Sequence, residues 1–240
     1  MRTLRLITAA ICMVVLAAAV DHQLIRGSDL PLGATKDDAA FYLTTAAESR
    51  AHVLLAATVR YRLDASQSKF IAHALAGGLL WFKGHDHLIA VREFTGEAEL
   101  TPNSITPASL AITAKTASMV ETSSVFTEPQ KQIINKELRE IVLLPGRYPE
   151  IVFKSTNVTG KATGSNQYDL KITGDLKLHG VTRQITIPTK VTVGGNELRA
   201  QGEFSINRGD FKVKATSAVH GLVRVRDKVK FTFDIVGHQQ

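Results

Sequence analysis

An antiparallel β-barrel carrying one helix is the fold that three features of this sequence predict together. Apolar and polar residues alternate with a period of two through most of the chain after Val59, turn signals separate the alternating runs, and a single segment changes to helical spacing. Alternation marks strands with one buried face, because successive side chains point to opposite sides of a sheet. Short strands joined by tight turns then imply an antiparallel sandwich or barrel.

Arg2 and Arg5 precede an apolar run from Leu6 to Leu16, and Ala17, Ala18 and Ala19 follow it. This order of basic, apolar and small residues is that of an export signal, so residues 1–20 are expected to be a cleaved leader. The competing reading is an uncleaved membrane anchor, but the run is shorter than the ~20 residues a spanning helix needs, so cleavage is favoured and no stable membrane span is expected after it. Cys12, the one cysteine, lies inside that run. A mature chain without thiols excludes disulfides, thiolate catalysis and cysteine metal ligands. Residues 21–58 change character, with Gly27, Pro31 and Gly33 ahead of an alanine-rich stretch from Ala39 to Ala57. They read as a spacer, poorly ordered or partly helical, in which Asp37 and Asp38 open a short helix. Residues 59–240 form the barrel domain.

Within that domain the clearest strand runs from Tyr168 to Leu178. Tyr168, Leu170, Ile172, Gly174, Leu176 and Leu178 share one parity, and Asp169, Lys171, Thr173, Asp175 and Lys177 share the other. The same pattern recurs in Ile185, Ile187, Val191 and Val193, in Leu198, Ala200 and Phe204, and in Val229, Phe231, Phe233 and Ile235. Further strands are expected at 88–100, 108–115, 151–155 and 219–225. Gly194-Gly195-Asn196 predicts a tight hairpin, Asn207-Arg208-Gly209-Asp210 a turn, and Thr101-Pro102-Asn103 a strand end. Arg208-Gly209-Asp210 also spells an adhesion tripeptide, but its place between strands makes turn closure the simpler role. Thr127-Glu128-Pro129-Gln130 predicts a capped helix start with proline in the first turn. Ile133, Ile134, Leu138, Ile141 and Val142 then supply helical spacing, and Pro145-Gly146 stops the element.

The net charge of +7 does not point to nucleic acid, because Lys and Arg are scattered between apolar residues as on the wet face of a sheet. Motifs for a hydrolase nucleophile elbow, a phosphate-binding glycine loop and a His-Glu-x-x-His zinc helix are absent from the sequence. No catalytic residue, cofactor or resident metal is assigned, and the protein is read as a binding protein, not an enzyme.

Several segments resemble, in order, the signatures of the YceI family. Tyr61-Arg62-Leu63-Asp64 through Ser68-Lys69-Phe70 is similar to its opening strand, and Phe94-Thr95-Gly96 to the end of its early hairpin. Arg147-Tyr148-Pro149-Glu150-Ile151-Val152-Phe153-Lys154-Ser155-Thr156 resembles its proline-led central strand, and the run from Ile172 to Thr182 the strand and turn after it. Asn207-Arg208-Gly209-Asp210-Phe211 and Arg226-Asp227-Lys228-Val229 resemble its last turn and closing strand. The resemblance covers residues 59–237. It implies an all-β, antiparallel lipocalin-like barrel of about eight strands with one inserted helix, located in the periplasm. It further implies an elongated cavity for an apolar isoprenoid-type lipid, a quinone or polyprenyl chain, and leaves room for a homodimer.

A barrel of about eight strands has an interior wide enough either to be filled by side chains or to hold one small ligand. Phe70, Ala72, Trp81, Phe94, Ile112, Phe153, Leu170, Ile172, Leu176, Ile187, Phe204, Phe231 and Phe233 are the inward candidates, each either ligand wall or plain core. The segment from Ala76 to His87 departs from the family pattern by its length. His85 and His87, at i and i+2, are expected on one strand face, which is half of a zinc site that His73, His179 or His220 would complete. The alternative function is therefore a histidine-based metal-binding barrel with a redox or stress role. A hairpin closed by His-Asp-His is the plainer reading of the same residues.

Overall fold

The computed structural model describes residues 58–80, 82, 84–101, 104–218 and 222–240. The leader, all of the spacer but Thr58, Trp81 and His220 lie outside the described residues. The strands are β1 (Val59–Gly77), β2 (His87–Val91), β3 (Phe94–Leu100), β4 (Ala108–Lys115), β5 (Met119–Glu121), β6 (Glu150–Gly164), β7 (Gln167–Leu178), β8 (Val181–Gly194), β9 (Glu197–Asn207), β10 (Ser217–Ala218) and β11 (Val223–Gln239). One α-helix, α1 (Glu128–Glu137), lies between β5 and β6.

Every pairing is antiparallel, and β1-β3-β4-β6-β7-β8-β9-β11 closes when β11 returns to β1. The result is an eight-stranded closed barrel with a single α-helix among the described residues. The turns at 165–166 and 195–196 define a hairpin end, and α1 belongs to the opposite, helix end.

Burial follows the alternation seen in the sequence. In β7, Tyr168, Leu170, Ile172, Gly174, Leu176 and Leu178 are buried while the residues between them are exposed or half-buried. Charges on the outer face pair across strands, as Arg199 does in a bidentate contact with Asp234 at 2.7 and 2.6 Å. Lys190 reaches Asp169 and Lys230 reaches Glu203 in the same way. Such exposed pairs add little stability and serve mainly to keep that face wet.

Three boundaries differ from the sequence reading. The run at 88–100 is two strands, broken at Arg92–Glu93, because β2 pairs with the helix-end half of β1 and with β5, whereas β3 pairs with the hairpin-end half of β1 and with β4. The break is pinned by Lys115 N–H on Glu93 O at 3.0 Å and Glu93 N–H on Ser118 Oγ at 2.9 Å. β6 runs nine residues past the expected 151–155, to Gly164, and only Val158 is buried in that extension. At 219–225, the described part of the run is the start of β11 at Val223.

The helix begins where its capping signature stands, with Thr127 N–H donating to Gln130 Oε1 at 2.8 Å and Pro129 in the first turn. It then widens into a π-type turn over Leu138–Leu143 and ends at Leu144, whose φ is 49°. The wider turn rotates the apolar stripe. Leu138 and Leu143 are buried while Ile133 and Ile141 stay exposed, so two of the five stripe residues face outward.

Two glycines admit the rings of the interior. A Cβ on Gly202 would lie 2.7 Å from Phe233 Cζ and meet the Pro188 carbonyl, and one on Gly174 would lie 2.7 Å from Phe153 Cζ. Gly202→Val is expected to cost about 1–3 kcal/mol through overpacking. Calorimetric melting should show a midpoint lowered by several degrees.

Candidate functional site

The barrel encloses a cavity of about 120 Å³ bordered by 25 residues. Of these only Glu99, Ser109 and Thr189 are polar, and each already has a partner. Glu99 accepts from Arg60 at 2.8 Å and from Ser109 at 3.1 Å, while Thr189 Oγ1 donates to Ile187 O at 3.3 Å. The wall therefore offers an entering molecule dispersion and desolvation but no unsatisfied polar group.

Phe70, Ile112, Phe153, Leu170, Ile172, Leu176, Ile187, Phe204 and Phe233 all stand on this wall. Ala72, Phe94 and Phe231 do not, and the reason is the packing of Phe70. Its ring meets Phe94, Phe231 and Phe233 edge-on at 6.4, 6.1 and 6.4 Å, and Phe231 stacks on Phe204 at 5.0 Å. These rings form a septum across the lumen. Phe94 and Phe231 belong to the septum, and Ala72, paired with Phe231, lies at that level. Trp81 lies outside the described residues. Leu63, Leu100, Leu110, Val191 and Leu198 also line the cavity. For Val191 and Leu198 the signal was the parity they share with Ile187 and Ala200.

The wall has a split on one side. β4 and β6 pair only between Ala111↔Lys154 and Lys115↔Glu150, at the helix end. Beyond it Leu110 N–H donates to Ser155 Oγ at 2.8 Å, and β6 bulges between Ser155 and Asn157. From there β6 pairs with β7 alone, leaving its outer edge open. Ala108, Ser109, Leu110 and Val158, on the parts of β4 and β6 that no ladder joins, border the cavity.

The histidines are dispersed. His87 opens β2 and His85 lies in the loop before it, both against Phe126, which His87 stacks upon at 5.2 Å and His85 meets edge-on at 5.8 Å. Asp86 between them accepts from Ala76 N–H at 2.8 Å and so closes the β1–β2 connection. His73 bonds Thr232 on the neighbouring strand, and His179 sits in the β7–β8 turn. No group of three metal-ligating side chains comes together among the described residues.

Glu121, which sequence reading passed over, is the most enclosed carboxylate of this region, with no side-chain exposure. Burial alone would raise its pKa, but hydrogen bonds from His87 Nδ1 and from the Ser123 and Leu88 amides outweigh it and hold Glu121 below the usual carboxylate range. Nothing in the local sequence marks Glu121, because its three donors come from β2 and from the residues after β5.

Both ring nitrogens of His179 are buried without a hydrogen-bond partner among the described residues. Burial, followed by the charges of Arg147 and Lys214, pushes its pKa below the ordinary histidine value. The neutral ring is thus favoured by folding, and its contribution to stability is complete above about pH 6.5 and lost as pH falls below that value. Titration of the unfolding free energy from pH 7.5 to 5 should show this loss, and His179→Asn, which tolerates the positive φ of 52°, should flatten it.

A closed eight-stranded antiparallel barrel around an apolar lumen, with a single helix among the described residues, defines the fold class as that of lipocalin-like barrels. The YceI-like domain family matches residues 61–237, and the chain belongs to that family. It is 36% identical over 104 residues to a UPF0312 protein of Pseudomonas syringae pv. syringae, covering 40% of this chain and 50% of that one. It is 35% identical over 102 residues to Protein YceI of Escherichia coli O17:K52:H18, covering 40% of this chain and 50% of that protein. The aligned stretch spans about half the length of these curated relatives. Among solved structures the fold is similar to Burkholderia cenocepacia BcnA, with a TM-score of 0.56 at 21% identity, covering 72% of this chain and 98% of that one. It is also similar to a polyisoprenoid binding domain from Saccharophagus degradans, with a TM-score of 0.51 at 14% identity, covering 75% and 98%.

Proposed function

We propose that this protein is a periplasmic binding or carrier protein that holds an apolar, isoprenoid-type lipid in its barrel, without a chemical step. The observation that carries this reading is the cavity wall, whose few polar atoms are all satisfied by the protein itself. Family membership and the polyisoprenoid-binding neighbour support it. The order of Arg2, Arg5, the apolar run and the three alanines supports export.

Size constrains the cargo. An apolar cavity of ~150 Å³ accommodates a molecule such as benzene, so 120 Å³ accepts a segment on the scale of one isoprene unit. A longer chain leaves through the split between β4 and β6 or displaces rings of the septum. Each CH₂ taken out of water contributes about 0.8 kcal/mol, enough for binding without a polar anchor.

The test is native mass spectrometry of protein purified from its own envelope, with organic extraction of what it carries. A bound molecule of isoprenoid mass is the expected result. Protein free of lipid but holding stoichiometric metal would overturn the reading.

A further inference from the structure

At the helix end, beyond the septum, lies a second cleft of about 380 Å³. Its floor is apolar, with Ala74, Ala76, Ile89, Leu138 and Val142, and His85, His87, Glu137 and Lys214 stand among its remaining walls. The inward residues of β1 run from Phe70 on the barrel cavity through Ala72 to Ala74 and Ala76 on this cleft, and the two spaces share no lining residue.

His87 is held there in one orientation. Nδ1 lies 2.8 Å from Glu121 Oε2, and an ionised carboxylate only accepts, so Nδ1 carries the proton. The ring face is fixed by the 5.2 Å stack on Phe126, at an interplanar angle of 16°. In the neutral ring Nε2 is then the acceptor. It has no partner among the described residues, and the side chain is 24% exposed where it lines the cleft. A carboxylate behind a histidine fixes the tautomer and the orientation of the ring.

From this geometry we infer that the helix-end cleft is a second binding site, taking a small, largely apolar molecule that bears a hydroxyl group, with His87 Nε2 accepting the hydroxyl hydrogen. The apolar floor receives the hydrocarbon part, and the oriented imidazole selects for the O–H. The apolar floor faces a polar wall that also holds Glu137, Lys214, Thr216, Ser217 and Arg224, which suits a small molecule with a hydrocarbon part and a polar end. Glu121 acts through His87 and is a positioning residue.

The experiment is isothermal titration of the intact protein with 4-pentylphenol and with 4-pentylanisole, which differ in the hydroxyl hydrogen. The phenol should bind about tenfold tighter, the worth of one buried hydrogen bond. His87→Asn keeps an N–H for Glu121 but lacks Nε2, and it should bring the two affinities together. Equal affinities in the unaltered protein, or a preference that survives in His87→Asn, would overturn the assignment. Should His87→Asn fail to fold, the ¹⁵N resonance of His87 Nε2 in the unaltered protein decides. It should move on adding the phenol while Nδ1 stays protonated, and an unmoved resonance counts against the site. Ala200→Phe, which fills only the barrel cavity, should leave the preference for the phenol in place. Its disappearance there would locate the probe in the barrel and overturn the second site without touching the lipid reading.

Discussion

Ala200→Phe is expected to expel the cargo while leaving the barrel folded. Ala200 is a small inward residue of β9 on the cavity wall, with Phe204 further along the same face. A phenyl ring there occupies most of a space of 120 Å³. If five carbons of an isoprenoid tail are excluded at ~0.8 kcal/mol each, affinity falls by about 4 kcal/mol, or roughly 1000-fold. The overpacking itself costs about 1–3 kcal/mol, which a domain of this size tolerates. The measurement is lipid recovered by extraction from the purified variant, together with the affinity of an apolar fluorescent probe. A variant that still carries a full complement of lipid would show that the cargo lies elsewhere.

Glu121→Ala should destabilise the protein by several kcal/mol. The carboxylate has no side-chain exposure, and its removal strands His87 Nδ1 and the Leu88 and Ser123 amides. Leaving a buried donor without its acceptor costs roughly 1–3 kcal/mol, and here several lose theirs at once. The melting midpoint should fall on the order of 10 °C. Because Glu121 is bound by β2 and the residues after β5, the loss should be accompanied by faster amide exchange there, with β7 and β8 slower to respond. A change of only a degree or two would show that water or rearranged side chains replace the carboxylate.

Alternation by itself determined the main strands and their inward faces. Tyr168 to Leu178 and the matching runs of β8, β9 and β11 have one buried parity, and no other pairing of faces hides those residues from water. The capping residues Thr127 and Gln130 likewise placed the helix start, since a cap is a local hydrogen bond. Its far half was not legible, because the π-type turn that buries Leu143 in place of Ile141 answers to the surface it packs on. The extension of β6 to Gly164 was hidden for a related reason, as an edge with one buried residue leaves little periodicity to read.

The candidate sites divide along the same line. Parity told which residues point inward, and nine of the thirteen inward candidates do border the cavity. Whether an inward ring becomes wall or septum was decided only by the tertiary structure. Phe70, Phe94 and Phe231 are equivalent in sequence, and their roles follow from ring-to-ring contacts between β1, β3 and β11, strands far apart in the chain. The split between β4 and β6 and the pairing of Glu121 with His87 arise in the same way. Periodicity is a property of one strand, whereas an opening, a septum or an oriented imidazole exists only once several strands share a place.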